Sequence, residues 1–250
     1  GDVYETLSNC RKNNIGVATD MFMIGMPGET KETVIESANF SASLRYLVGK
    51  DWKPGNLMLA MAIPGTPLYE YCQQIGIIGK KLEEEEEYLY RVSEHKNTHI
   101  LNYVNQTSSS TKEVHYWLYL YNYAGKKAYL NLIIKKNKSI KNRLLQIYKL
   151  CIKSTFENLI NEFNEKKKSY KNRKLSQKAK LLIILSIDFL LSLSVLFLPK
   201  AVLFRIVRVY AGLRFYSLNK NHKAKKGKQK HNLFVIQSVD PTNNLTLTEN

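Results

Sequence analysis

Two short apolar runs constrain this chain more than any other feature, because each is closed by glycine–proline turn chemistry and followed by a threonine. Ile15 to Ile24 carries β-branched residues and closes on Gly25-Met26-Pro27-Gly28-Glu29, and Leu57 to Ile63 closes on Pro64-Gly65. Apolar runs of this kind, bounded by turn residues, predict buried strands. After the first run Thr30 is placed to cap a helix, with Glu32 in the first turn where the helix dipole favours it. Val34, Ala38, Ser41 and Leu44–Arg45 then recur at helical spacing as far as Gly49. After the second run Thr66-Pro67 reads as an N-cap with proline at the first helical position, opening a helix through Leu68, Tyr71 and Cys72 to Gly76. A helix over 2–14 precedes both, with Val3, Leu7 and Cys10 on one face and Asn13–Asn14 at its end. Helix–strand–helix–strand–helix with short connections predicts a parallel sheet of βαβ units. Such sheets place their sites at the carboxyl ends of the strands, here Gly25–Thr30 and Pro64–Thr66.

Gly25 and Gly28 let the backbone approach a ligand closely, and the N–H groups around the Thr30 helix start suit an anion or a carboxylate. A lone Pro-Gly is ordinary turn punctuation. Two of them, one βα unit apart and each at a strand end, carry more. Glu29 is the charged side chain of the first loop; it reads equally as a solvated carboxylate at a helix start and as a ligand contact.

Phe22-Met23-Ile24-Gly25-Met26-Pro27-Gly28-Glu29-Thr30, preceded by Asn14-Ile15-Gly16-Val17, resembles a late strand and loop of the radical S-adenosylmethionine (SAM) barrel. The likeness is to the branch often joined to a cobalamin-binding domain, whose pattern is apolar-Ile-Gly-x-Pro-Gly-Glu-Thr. Ala62-Ile63-Pro64-Gly65-Thr66-Pro67-Leu68-Tyr69-Glu70, then Gly76-Ile77-Ile78, is similar to the next strand and its Pro-Gly-Thr-x-Leu-Tyr segment. The resemblance covers residues 1–80 and thins out towards residue 120, through the acidic helix and Asn102 to Lys112. It implies an α/β fold: a partial (βα) barrel of radical SAM type followed by a mainly α-helical carboxyl-terminal extension. It also implies SAM and a [4Fe–4S] cluster as cofactors, with cobalamin considered for that branch, and a small-molecule substrate it does not name. Gly25, Met26, Pro27, Gly28 and Glu29 would lie near SAM, mostly through backbone contacts. Pro64, Gly65 and Thr66 would lie at the adjoining, substrate-facing mouth.

The cysteines depart from the family. Its members hold the cluster on a Cys-x-x-x-Cys-x-x-Cys loop, whereas Cys10, Cys72 and Cys151 are 62 and 79 residues apart. Three separated thiols form neither a disulfide framework nor a zinc or redox motif, which suits a reducing compartment. The early strands, the cluster loop and any cobalamin domain are expected to precede Gly1. The chain is therefore read as a carboxyl-terminal fragment, unable to cleave SAM by itself.

The remainder is helical and basic. Glu83 to Glu87 is a solvated acidic first turn. Residues 112–135 form a helix with Val114, Trp117, Leu118, Tyr121, Ala124 and Ala128 on one side, and another runs from Ser139 to Asn164. The tyrosines Tyr116, Tyr119, Tyr121 and Tyr123 are expected in a helix core, with a substrate-facing wall as the alternative. His95 and His99 lie four apart and could share a helix face with a metal, but they and His115 read better as surface histidines. Lys166 to Lys180 is a basic connector.

Charge divides the chain at the same place as the motifs. Of 38 Lys and Arg and 21 Asp and Glu, residues 1–100 hold 10 and 14, and residues 101–250 hold 28 and 7. The basic part surrounds Leu181 to Leu198, the most apolar stretch, which is broken by Asp188 and ended by Pro199. A spanning helix needs about 20 apolar residues, and Asp188 at its centre would cost about 2.5–3.5 kcal/mol. Ala201 to Leu218 reads as an amphipathic helix, with Val202, Ile206, Val209 and Leu213 set against Arg205, Arg208 and Arg214. An interfacial anchor on anionic lipid fits this pattern best. A single span, a soluble helical subdomain and nucleic-acid binding through the lysine tail are the alternatives. The last lacks any recognition motif beside its lysines.

The expected organisation is barrel units over 1–80, a helical extension over 81–165, basic membrane-associating helices over 166–232 and a disordered tail over 233–250. The expected location is the cytoplasm, on the membrane's cytoplasmic face. The competing classes are a non-enzymatic membrane-surface interaction protein with a partial α/β unit, and a different βα barrel using the Pro-Gly loops for phosphate.

Overall fold

A computed structural model describes residues 2–17, 21–49, 56–93, 103–136, 139–148, 160 and 175–229. Within them the chain is predominantly helical around one small parallel sheet. The elements are α1 (Asp2–Lys12), β1 (Met21–Ile24), α2 (Lys31–Leu47), β2 (Asn56–Leu59), α3 (Pro67–Gln74), α4 (Leu82–Ser93), α5 (Thr111–Lys136), α6 (Ile140–Tyr148), α7 (Leu175–Phe197) and α8 (Lys200–Gln229).

Local chemistry sets the helix ends. Asn14 takes a positive φ of 55°, and the Ile15 N–H reaches the Cys10 carbonyl at 2.8 Å while the Asn14 N–H reaches Arg11. This left-handed cap stops α1 and throws Ile15 into solvent. Thr30 caps α2 through its hydroxyl, and Thr33 answers to the Thr30 N–H at 3.0 Å. Thr66 caps α3, with Pro67 at its first turn.

β1 and β2 run parallel, with Met21 opposite Asn56 and Ile24 opposite Leu59, and α2 makes the crossover between them. The Ala60 N–H extends the ladder to the Ile24 carbonyl at 2.8 Å. Alternation sends Phe22, Ile24, Leu57 and Leu59 to one face, where they join the core with Val34, Ala38 and Ala42 of α2. The strands are shorter than the apolar runs that foretold them. Ile15 is exposed, and of the second run Leu57 to Leu59 lie in the strand, Ala60 adds a last ladder bond and Met61 to Ile63 turn away. Residues 18–20 lie outside the described set.

α5 is the hub, touching α2, β1, α6, α7 and α8. Half of its 26 residues are buried, including the consecutive Val114, His115, Tyr116 and Trp117, so it is enclosed on every side rather than along one stripe. Tyr116, Tyr121 and Tyr123 are core residues, as the sequence suggests. His115 corrects the surface reading: it is buried between the rings of Tyr119 and Phe215, at 5.2 and 5.4 Å. His95 and His99 fall outside the described residues, as does the greater part of the 139–164 helix.

α7 and α8 turn on Pro199 and pack on α5. Leu191 and Val195 of α7 and Leu203, Val207, Tyr210 and Ala211 of α8 belong to the same core cluster as Ile24 and Leu59. Asp188 is half-buried against this interface, close enough to Tyr123 and Tyr210 to help push both phenols upward after burial itself. Among the described residues no helix is long and apolar enough to cross a membrane.

The apolar stripe of α8 read from the sequence is exposed, and a second apolar stripe beside it packs on the core. Val202, Ile206, Val209 and Leu213 point outward, and the inner stripe is Leu203, Val207, Tyr210 and Ala211, one position on. The helix is apolar on two sides, so spacing alone does not choose between them.

Candidate site at the strand carboxyl ends

The two loops singled out by sequence leave adjacent ends of one sheet, since Ile24 and Leu59 are register partners. The parallel pairing brings together the starts of both loops. What occupies those ends is largely the chain itself.

Gly25 has a φ of 94° and is buried, as its turn requires. Its N–H donates to the Glu29 carboxylate at 2.5 Å, and its carbonyl accepts from the Tyr103 hydroxyl at 2.7 Å. Both backbone groups are therefore taken internally. Glu29 is neither a solvated helix-start carboxylate nor an outward ligand contact in this state; it folds back into the turn. Burial raises its pKa, opposed by the bonds from the Gly25 and Met26 backbone. The Gly25 and Met26 N–H groups are thus met by this chain's own carboxylate.

The segment from Tyr103 to Ser110 seals the rest of the strand ends. Tyr103 covers Gly25, and burial drives its phenol up to about 12. Gln106, also buried, donates to the Ala60 carbonyl at 2.9 Å and accepts from the Cys72 thiol at 3.1 Å. Tyr88 of α4 donates to the Ala62 carbonyl. Burial pushes the Cys72 thiol up, so it stays protonated and donates. Asn105 holds the segment's shape, accepting from the Thr107 N–H at 3.1 Å and donating to the Ser109 carbonyl. Ser110 then caps α5, accepting from the Glu113 N–H at 3.2 Å. Tyr103, Gln106 and Tyr88 did not stand out in the sequence, because a polar stretch gives no periodic signal and their partners are distant in the chain.

The remaining residues lie at the rim. Met26, Gly28, Pro64 and Gly65 are exposed, Pro27 and Thr66 half-exposed. A side-chain carbon would meet nothing within 4 Å at Gly28 or Gly65, so their backbone is open to approach. Thr66 is engaged as a cap, its hydroxyl donating to the Ile63 carbonyl at 2.7 Å. Among the described residues no group of three His, Cys, Asp or Glu could hold a metal ion, and Cys10 and Cys72 sit in separate surroundings.

The opposite face of the sheet is bare. Met23 and Met58, which face each other across the ladder, are 60% and 42% exposed. Met26 and Ile63 continue the exposed apolar edge at the loops.

Neither family models, nor curated proteins, nor solved structures give a match to this chain.

Proposed function

We propose that this chain forms the closing βα units of a radical SAM barrel and acts only together with the preceding part of that barrel. The observation that carries the reading is the bare Met23–Met58 face. Parallel strands are normally covered on both faces, and here α2 and α5 cover one while the other presents two paired methionines to solvent. In a closed barrel that face is the interior, and the free strand edges find neighbours. The two motifs then lie at the rim where such barrels place their chemistry.

The cofactors divide accordingly. The described thiols do not suit a [4Fe–4S] cluster, which needs thiolates held close together, so on this reading its ligands would come from the barrel units that complete the fold. Cobalamin, where the branch uses it, belongs there too. SAM suits the rim only in part. Gly28 and Gly65 leave room for backbone contact, whereas Gly25 has no free polar group to give. The contribution expected of this chain is a wall and a rim: Met23 and Met58 exclude water, and the Gly28 and Gly65 backbone positions the ligand. It supplies no assigned acid or base.

One observation favours the alternative of a non-enzymatic membrane-surface interaction protein. The carbonyls beyond both strands are already claimed by Tyr103, Gln106 and Tyr88, as in a site that no longer needs a ligand.

The deciding experiment joins the chain to the reading frame upstream of it. A Cys-x-x-x-Cys-x-x-Cys in frame, a reconstituted cluster and reductive SAM cleavage by the joined protein are the expected results. An upstream frame without that loop, or a joined protein that binds neither cluster nor SAM, refutes the proposal.

A further inference from the structure

α8 carries two apolar stripes, and α5 covers only one. The uncovered stripe is Val202, Ile206, Val209, Leu213 and Tyr216, spaced four, three, four and three residues apart and all exposed, with Val209 at 66% and Leu213 at 64%. At the turn before Pro199, Phe197 is 81% exposed. From Val202 to Tyr216 the helix therefore lies on the surface with a continuous apolar edge facing out.

Its charge chooses the occupant. α8 contains nine Lys and Arg and no acid, and no Asp or Glu occurs anywhere from 189 to 239. A second copy seated on the same stripe would set these like charges against one another. Nucleic acid would accept the charges but leave the apolar edge in water. A bilayer with anionic headgroups satisfies both, taking the apolar edge at the acyl boundary and the lysines at the phosphates. Arg205 stands exposed beside the stripe, and Arg208 reaches from α8 to Glu113 of α5, which fixes the helix on its support. Phe197 and Tyr216 stand near the two ends of the edge, the first a wholly apolar ring and the second an amphipathic one of the kind enriched at membrane interfaces.

We propose that the outer edge of α8, with Phe197 at the hairpin turn, is a monotopic docking surface for anionic lipid, the helix lying in the plane of the interface. The inner stripe stays on α5, so docking requires no opening of the core. This is independent of the catalytic proposal, which concerns the strand carboxyl ends and the Met23–Met58 face.

The test is co-sedimentation of the whole chain with vesicles. The chain should pellet with phosphatidylcholine–phosphatidylserine vesicles, bind pure phosphatidylcholine far more weakly, and detach as salt is raised. Val209→Glu with Leu213→Glu, at exposed positions, should lower partitioning about a hundredfold while the circular dichroism spectrum is unchanged. Each basic residue near the surface contributes about fivefold, so Arg205→Glu should give a smaller loss. A chain that stays in the supernatant with every vesicle, equal binding to neutral and anionic vesicles, or a double variant that pellets like the native chain overturns the proposal. So does a dimer that the double variant dissolves in a chain that ignores vesicles.

Discussion

Replacing Gly25 by alanine should be far more damaging than replacing Gly28, although both lie in the same loop at positive φ. At Gly28 φ is 78° and a side-chain carbon meets nothing within 4 Å. Gly28→Ala therefore carries only the conformational penalty, about 1–2 kcal/mol. At Gly25 φ is 94°, and the added carbon would lie 2.8 Å from the Tyr103 Cζ and closer still to its hydroxyl. The ring must move, and with it goes the bond to the Gly25 carbonyl. Overpacking costs about 1–3 kcal/mol, and the lost bond, leaving a buried carbonyl unpaired, costs about 1–3 kcal/mol. With the backbone penalty, Gly25→Ala should cost about 3–8 kcal/mol, a large share of a stability that is commonly about 5–15 kcal/mol. Urea titration followed by circular dichroism measures both variants. Tyr103→Ala in the Gly25→Ala background isolates the contact: removing the ring relieves the clash, so the two changes together should cost less than their sum. Equal losses for Gly25→Ala and Gly28→Ala, or additivity of Gly25→Ala with Tyr103→Ala, would show that Tyr103 does not rest on this turn.

Leu203→Ala should destabilise by about 2–5 kcal/mol, whereas Val209→Ala should stay within about 0.5 kcal/mol; reversal of this order in thermal or urea unfolding would place the wrong stripe of α8 against α5. Glu29→Gln should stabilise with a pH dependence of stated sign. Burial raises the folded-state pKa of Glu29, so the folded form binds its proton more tightly and ionisation weakens the fold as pH rises through that interval. The advantage of the amide should be absent below the ordinary glutamate range and grow to a plateau above it; urea midpoints that differ equally at every pH between about 4 and 8 would contradict this. The chain alone, treated anaerobically with iron and sulfide, should show no [4Fe–4S] absorbance, and a stable cluster would overturn the account of its thiols.

What was legible in the sequence was local. The α2 positions Val34, Ala38, Ser41, Leu44 and Arg45 are all buried as their spacing foretold, and Thr30 and Thr66 both cap, because helix periods and caps are settled within a few residues. The strand lengths were not legible, since an apolar run does not disclose where its ladder partner ends. Val3, placed on one face with Leu7, is exposed while Leu7 is buried, and in α3 Tyr69 is buried while Tyr71 is exposed. In each case two apolar faces compete and the tertiary neighbour decides. At the candidate site the turn glycines were visible, but the groups that fill the turn were not. Glu29 is four residues from Gly25, whereas Tyr103 is 78 away and Gln106 is 46 from Ala60. Contacts of that separation join polar side chains to carbonyls, and neither partner leaves a periodic trace.

The Met23–Met58 face and the outer stripe of α8 are both bare and apolar, and their surroundings point to different kinds of cover. Met23 and Met58 sit on the flat side of a parallel ladder whose backbone groups continue to its edges. Lipid cannot pair a strand edge, and an unpaired edge in hydrocarbon is strongly disfavoured. A closed barrel, in which neighbouring strands pair the edges and interior side chains cover that face, is therefore the setting proposed for it. The outer stripe of α8 is different. Its backbone is satisfied within the helix, so it needs only an apolar medium on one side and counter-charge along its length. If the barrel reading is right, covering the sheet face with the missing strands should leave vesicle binding unchanged, and substituting Val209 and Leu213 should leave barrel assembly unchanged. Loss of both properties from a substitution at either face would mean that one partner covers both, and that the two proposals must be merged.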